Sequence, residues 1–85
     1  MTLVRWNQFK NLHLKLTRGA SFEELLQARR VATRNHPSKP GQKMMFCEHE
    51  GHIWVVPFVE NEREVFLKTL YRSRKFTKLY KRGLL

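Results

Sequence analysis

The sequence predicts an α+β fold: an N-terminal helical hairpin packed on a small antiparallel β-sheet, with a basic C-terminal helix. Three observations lead there. Helix caps and apolar residues at helical spacing occupy the first third of the chain. Glu50-Gly51 then separates two apolar runs of strand length, and a serine opens a cation-rich final stretch. With 85 residues there is room for one domain, 1–85. A chain this short buries only about 60% of its unfolded surface, so the core is small.

Leu3, Val4 and Trp6 form a short first strand. Asn7 offers an N-cap side chain, and Phe9, Leu12 and Leu16 recur at near-helical spacing. Arg18-Gly19 closes this helix, because glycine accepts the left-handed conformation of a C-cap. Ser21-Phe22-Glu23-Glu24 reads as a capping box, in which serine and Glu24 satisfy each other's backbone donors. A second helix is expected from Phe22 to Thr33, with Phe22, Leu25 and Leu26 inward. Only three residues join the two helices, which implies an antiparallel hairpin.

Asn35 to Gln42 holds Pro37, Pro40 and Gly41 and is a loop. Lys43 to His49 and His52 to Phe58 are strands joined by the Glu50-Gly51 turn. That register puts Cys47, His49, His52, Trp54 and Val56 on one face, and Phe46, Ile53 and Val55 on the other. Both faces are largely apolar, so the hairpin is central and covered twice. Pro57 has no donor, which marks an edge or a bulge. Glu60 to Glu64 is a polar turn, and Val65 to Leu70 completes a meander. Ser73 caps a last helix through Tyr80 that ends at Gly83.

Seventeen Lys and Arg face seven acids, a net charge of +10, and every acid is Glu. Such a surface attracts polyanions, so nucleic acid or an acidic protein is the expected partner. Chemistry that needs paired aspartates is excluded. The single cysteine, Cys47, makes no internal disulfide and fits a reducing cytoplasm. No apolar run approaches the roughly 20 residues of a membrane helix, and no signal-peptide core follows Met1, so no membrane partner is expected.

Six of the seventeen cations lie between Tyr71 and Arg82: Arg72, Arg74, Lys75, Lys78, Lys81 and Arg82. On a helix, Arg74, Lys75, Lys78 and Lys81-Arg82 make one stripe while Phe76, Leu79 and Tyr80 turn inward. A stripe of this kind neutralises phosphates; the plainer alternative is a solvated face. Against that alternative, tightly spaced like charges repel unless an anion is present. His36, near Lys39 and Lys43, has the chemistry of a general acid or base, or is an ordinary loop histidine. Cys47, His49 and His52 lack a well-spaced fourth ligand for a structural zinc, so no metal and no cofactor is expected. A nucleophile triad has no aspartate to orient its histidine, and no glycine-rich phosphate loop is present.

Several segments together resemble a known family. They are Trp6-Asn7 with Lys10, Arg18 to Glu24, His36-Pro37, Gln42-Lys43, Trp54 to Glu60, Phe66 to Thr69, and Ser73 to Lys78. The chain is similar to the BrnT-type toxins of the RelE/ParE superfamily, small basic proteins of type II toxin–antitoxin modules. The resemblance implies a RelE/ParE-like fold and a metal-independent endoribonuclease that cuts mRNA, on or off the ribosome, and arrests growth. It also implies neutralisation by a ribbon-helix-helix antitoxin in a hetero-oligomer. Arg72 stands where relatives often carry proline or a small residue, and the segment after Arg34 is short.

In such an enzyme the RNA 2′-hydroxyl attacks its own phosphate, which calls for a base, a proton donor and cations on the phosphorane. The expected catalytic residues are His36 for proton transfer, Arg74 for the phosphorane charge, and Lys43. Lys39, Tyr71, Arg72, Lys75, Lys78, Tyr80 and Lys81 are expected to bind RNA, the tyrosines by stacking on bases. Two competing readings are a DNA-directed toxin, as gyrase poison or DNA-nicking protein, and a nucleic-acid-binding module without catalysis.

Overall fold

Residues 2–85 are described by a computed structural model. The elements run β1 (Leu3–Arg5), α1 (Gln8–Arg18), α2 (Phe22–Gln27), β2 (Arg29–Asn35), β3 (Lys43–His49), β4 (His52–Glu60), β5 (Glu64–Leu67), β6 (Tyr71–Ser73) and α3 (Arg74–Lys81). The six strands form one sheet in the order β1-β5-β4-β3-β2, with β6 also on β4. All pairings are antiparallel except β1 with β5, so the sheet is mixed rather than purely antiparallel.

The caps fall where the residue types place them. Asn7 Oδ1 accepts from Lys10 N, and Gly19 at φ 92° ends α1 with its N–H on Lys15 O. Ser21 and Glu24 form the reciprocal capping box. Glu50 and Gly51 both take positive φ, 53° and 79°, as a two-residue turn matched to strand twist requires. Asn61 Oδ1 accepts from the N–H groups of Arg63 and Glu64 and so shapes the turn between β4 and β5.

The second helix is shorter than its pattern predicts. Ala28 is already extended, and Arg29–Asn35 forms β2 on the edge of β3, with a register shift between Arg30 and Ala32. Arg29, Arg30 and Ala32 are good helix formers, but Val31 and Thr33 suit a strand and pairing with β3 decides the outcome. The expected hairpin of two comparable helices is therefore an 11-residue helix followed by a six-residue one. The final strand of the meander likewise ends at Leu67, and Tyr71–Ser73 is a separate strand on β4.

Pro57 lies inside the central strand, not at an edge. Its carbonyl accepts from Lys68 N on the side where β4 exchanges β6 (Ile53 to Val55) for β5 (Phe58 to Glu60). In a strand the N–H and C=O of one residue point the same way, so the missing donor falls in the gap between two partners.

The sheet has a core on each face. On one, Met45, Cys47, Trp54, Val56, Phe58 and Leu67 pack with Leu14 of α1 and Phe22 and Leu25 of α2. On the other, Met44, Phe46, Ile53 and Val55 are covered by Phe76 and Tyr80 of α3 together with Leu85. The doubly covered hairpin expected from its apolar faces is thus observed, and α1 and α3 lie on opposite sides of it. Leu26, expected inward, is exposed, as are Phe9, Leu12 and Leu16. The face of α1 that packs is instead Asn11 and Leu14. Asn11 earns its burial through two bonds, donating to Glu23 Oε1 and accepting from Phe22 N.

Candidate nucleic-acid interface

The cationic helix is held rigidly by its own polar residues. Ser73 Oγ caps α3 by accepting from Phe76 N at 3.1 Å. Thr77 is buried, and its hydroxyl donates to Ser73 O while accepting from the β4 backbone at Ile53 N, 2.8 Å away. Phe76 stacks on Phe46 with ring centroids 4.5 Å apart. With one side fixed in this way, Arg74, Lys75, Lys78, Lys81 and Arg82 are all exposed on the other. None of them makes an ion pair among the described residues, and Lys75 Nζ sits 5.5 Å from the Phe76 ring centroid.

Residues directly opposed across strands share a face of the sheet, which sorts the remaining candidates. Tyr71 opposes Val55 and so stands on the α3 side, half exposed. Arg34 opposes Met44 and joins the same side, a cation the sequence reading did not select because it was placed beyond the second helix. Arg72 opposes Trp54 and Lys43 opposes Phe58, which puts both on the α1/α2 side. Lys43 is also engaged: its Nζ lies 2.6 Å from Glu60 Oε1. Tyr80 packs against the second core cluster, so little of its ring is available to a base.

His36 and Arg74 do not converge. His36 continues the β2–β3 hairpin through its N–H to Gln42 O, at the Lys43–Phe58 end of the strands. Arg74 follows Ser73, which opposes Ile53 at the other end. Five residues of β4 separate those registers, about 17 Å at strand rise. The His36 ring is also occupied. Its Nδ1 accepts from Ser38 N and Lys39 N, both at 3.1 Å, so that nitrogen is engaged in the turn. The ordinary role of a loop histidine, fixing a turn, is the one the geometry supports. Lys39 lies in the same exposed loop.

Metal-ligating side chains are not grouped: no cluster of three or more occurs among the described residues. Cys47 is buried, and burial pushes its thiol up from the usual range, so it packs as a small neutral hydrophobe. His49 Nε2 lies 3.9 Å from carboxylate oxygens of Glu24 and Glu50 and T-stacks on Trp54.

Such an arrangement, a mixed sheet with a short helix pair on one face and a cationic helix on the other, has a counterpart of known structure. It is similar to the crystal structure of the Brucella abortus ribonuclease toxin BrnT, with a TM-score of 0.58. The fold is BrnT-like. The match covers 86% of this chain and 97% of that one at 19% sequence identity. No protein-family model and no curated protein matches the sequence.

No helix of the described residues is long and apolar enough to cross a membrane.

Proposed function

We propose that this chain is the ribonuclease toxin of a type II toxin–antitoxin module, with the α3 face as its RNA-binding surface. The observation that carries the reading is five exposed cations on α3 and its C-cap without acidic partners, on a fold shared with a ribonuclease toxin. Arg74, Lys75, Lys78, Lys81 and Arg82 hold RNA phosphates, and Tyr71, on the same side of the sheet, stacks a base. Arg74, at the start of α3 and three residues from Tyr71, is the cation assigned to the phosphorane.

Cleavage by attack of the RNA 2′-hydroxyl on its own phosphate is the chemistry the sequence resemblance implies. An mRNA target, a ribbon-helix-helix antitoxin, a cytoplasmic site of action and membership of the wider RelE/ParE superfamily follow from the sequence resemblance. His36 and Lys43 are assigned structural rather than catalytic roles.

The engagement of His36 Nδ1 by its own turn, far from Arg74, favours one second reading, a nucleic-acid-binding module without catalysis. A single experiment separates the two. Purified protein is incubated with a defined mRNA in a chelating buffer, with and without ribosomes, beside the Arg74→Ala variant. Discrete cuts that disappear in Arg74→Ala support the toxin. Binding without cuts in either condition supports the module, and undamaged RNA with nicked DNA in parallel refutes both.

A further inference from the structure

The most unusual surface of the molecule is the outward side of α1. Phe9 and Leu16 are each 86% exposed and Leu12 is 57% exposed. At i, i+3 and i+7 these three residues form one stripe along the helix, opposite the Asn11 and Leu14 side that packs. Single exposed apolar residues are ordinary, but an aligned Phe and two Leu left in water mark an interaction site.

The charges beside the stripe identify what covers it. No acid occurs in α1, whereas Lys10 and His13 border the stripe on one side and Lys15 on the other. The nearest acids are spoken for: Glu23 accepts from Asn11, and Glu24 from Lys15 and Ser21. A second copy is a poor occupant, because a two-fold contact would set α1 against α1 and +10 against +10. An anionic membrane is poorly served as well. Arg18 is turned onto Leu70 O and Lys15 onto Glu24, which leaves Lys10 as the main free cation of a helix with three apolar residues.

We propose that the Phe9–Leu12–Leu16 face of α1 is a docking surface for an acidic amphipathic helix of another protein. The partner presents apolar residues at helical spacing to the stripe and a carboxylate to Lys10, on a helix that carries no acid of its own, the helix-to-helix mode of recognition. The site lies on the opposite side of the sheet from α3 and stands independently of the ribonuclease reading.

The probe is a lactam-bridged synthetic helix with leucines at heptad spacing flanked by glutamates, compared with the same helix flanked by lysines. Amide shifts of isotopically labelled full chain locate binding, and anisotropy measures affinity. The glutamate helix is expected to perturb α1. Its affinity should fall at least tenfold in Phe9→Ser and again in Leu16→Ser, both exposed positions that leave the fold intact. Equal binding of the lysine helix, shifts confined to α3, or no change in the two variants overturns the proposal. So does a dimer that Leu16→Ser dissociates, or tighter binding to phosphatidylserine vesicles than to the peptide. RNA binding of the same variants is measured alongside, so loss of one function is told apart from loss of the other.

Discussion

The α3 face makes a quantitative prediction about salt. Each phosphate neutralised on a single strand contributes about 0.7 to the slope of log affinity against log salt concentration. Five exposed, unpaired cations on α3 and its C-cap therefore give a slope of about −3.5 if each meets a phosphate. Raising salt between about 50 and 200 mM should then weaken binding roughly a hundredfold. Alanine at Lys78 or Lys81 removes about 0.7 from the slope, since neither residue has a second structural role. Arg72→Ala and Lys43→Ala leave it unchanged, because both side chains belong to the other side of the sheet and Lys43 is held by Glu60. The assay is fluorescence anisotropy of a labelled, uncleavable 2′-methoxy oligonucleotide across a salt series. A slope near zero, or one that falls with Lys43→Ala and not with Lys78→Ala, refutes the assignment of the binding face.

Three further outcomes follow from single contacts. Thr77→Val keeps the shape but strands the buried Ile53 N–H, at a cost of about 1–3 kcal/mol. For a domain of this size that lowers Tm by roughly 5–20 °C, read by circular dichroism. His36→Asn keeps an oxygen acceptor for the Ser38 and Lys39 N–H groups, so RNA cleavage should survive it, whereas a catalytic histidine would not tolerate the change. Burial raises the Cys47 thiol, so the stability it contributes is complete below the unfolded thiol pKa of about 8.5 and declines as pH rises through the folded value. Urea unfolding from pH 8 to 9.5 should show a smaller decline in Cys47→Ala than in the parent.

Glu24 gives the acid-side counterpart. A hydrogen bond from Lys15 is the largest effect on its carboxyl; burial opposes it, and the hydrogen bonds from Ser21 help to hold the group below the usual range. A depressed folded value means stability present above the unfolded pKa and lost as pH falls through the folded one. Replacing Glu24 with Gln should therefore flatten the loss of stability measured by urea unfolding between pH 5 and 3.

Short-range chemistry was legible from the sequence. Asn7, Gly19, Ser21-Glu24, Glu50-Gly51 and Ser73 each act through partners within four residues, and each occupies the cap or turn its side chain implies. Alternation in Phe46, Cys47, Ile53 and Trp54 likewise sorted the two cores. What was not legible depends on partners far along the chain. Arg29–Asn35 is of mixed propensity and becomes strand because β3 offers an edge. Tyr71 and Arg72 look continuous with the basic tail, yet pairing with Val55 and Trp54 turns them to opposite sides. The apolar spacing of Phe9, Leu12 and Leu16 located the helix correctly but could not say which side faced the core. The buried side is made by Leu14 together with Asn11, whose polarity hides it from a hydrophobic pattern.

One element carries two duties that are usually separate. The same short helix that presents the cations proposed to bind phosphate also seals Met44, Phe46, Ile53 and Val55 from water. RNA that binds only the folded helix must by linkage raise the free energy of unfolding, by an amount that grows with the logarithm of its concentration above Kd. Reciprocally, anything that loosens the seal weakens the grip on RNA. On the proposed reading, occupancy and integrity of the second core are thus one thermodynamic variable, and a core residue such as Phe46 would set RNA affinity without touching RNA.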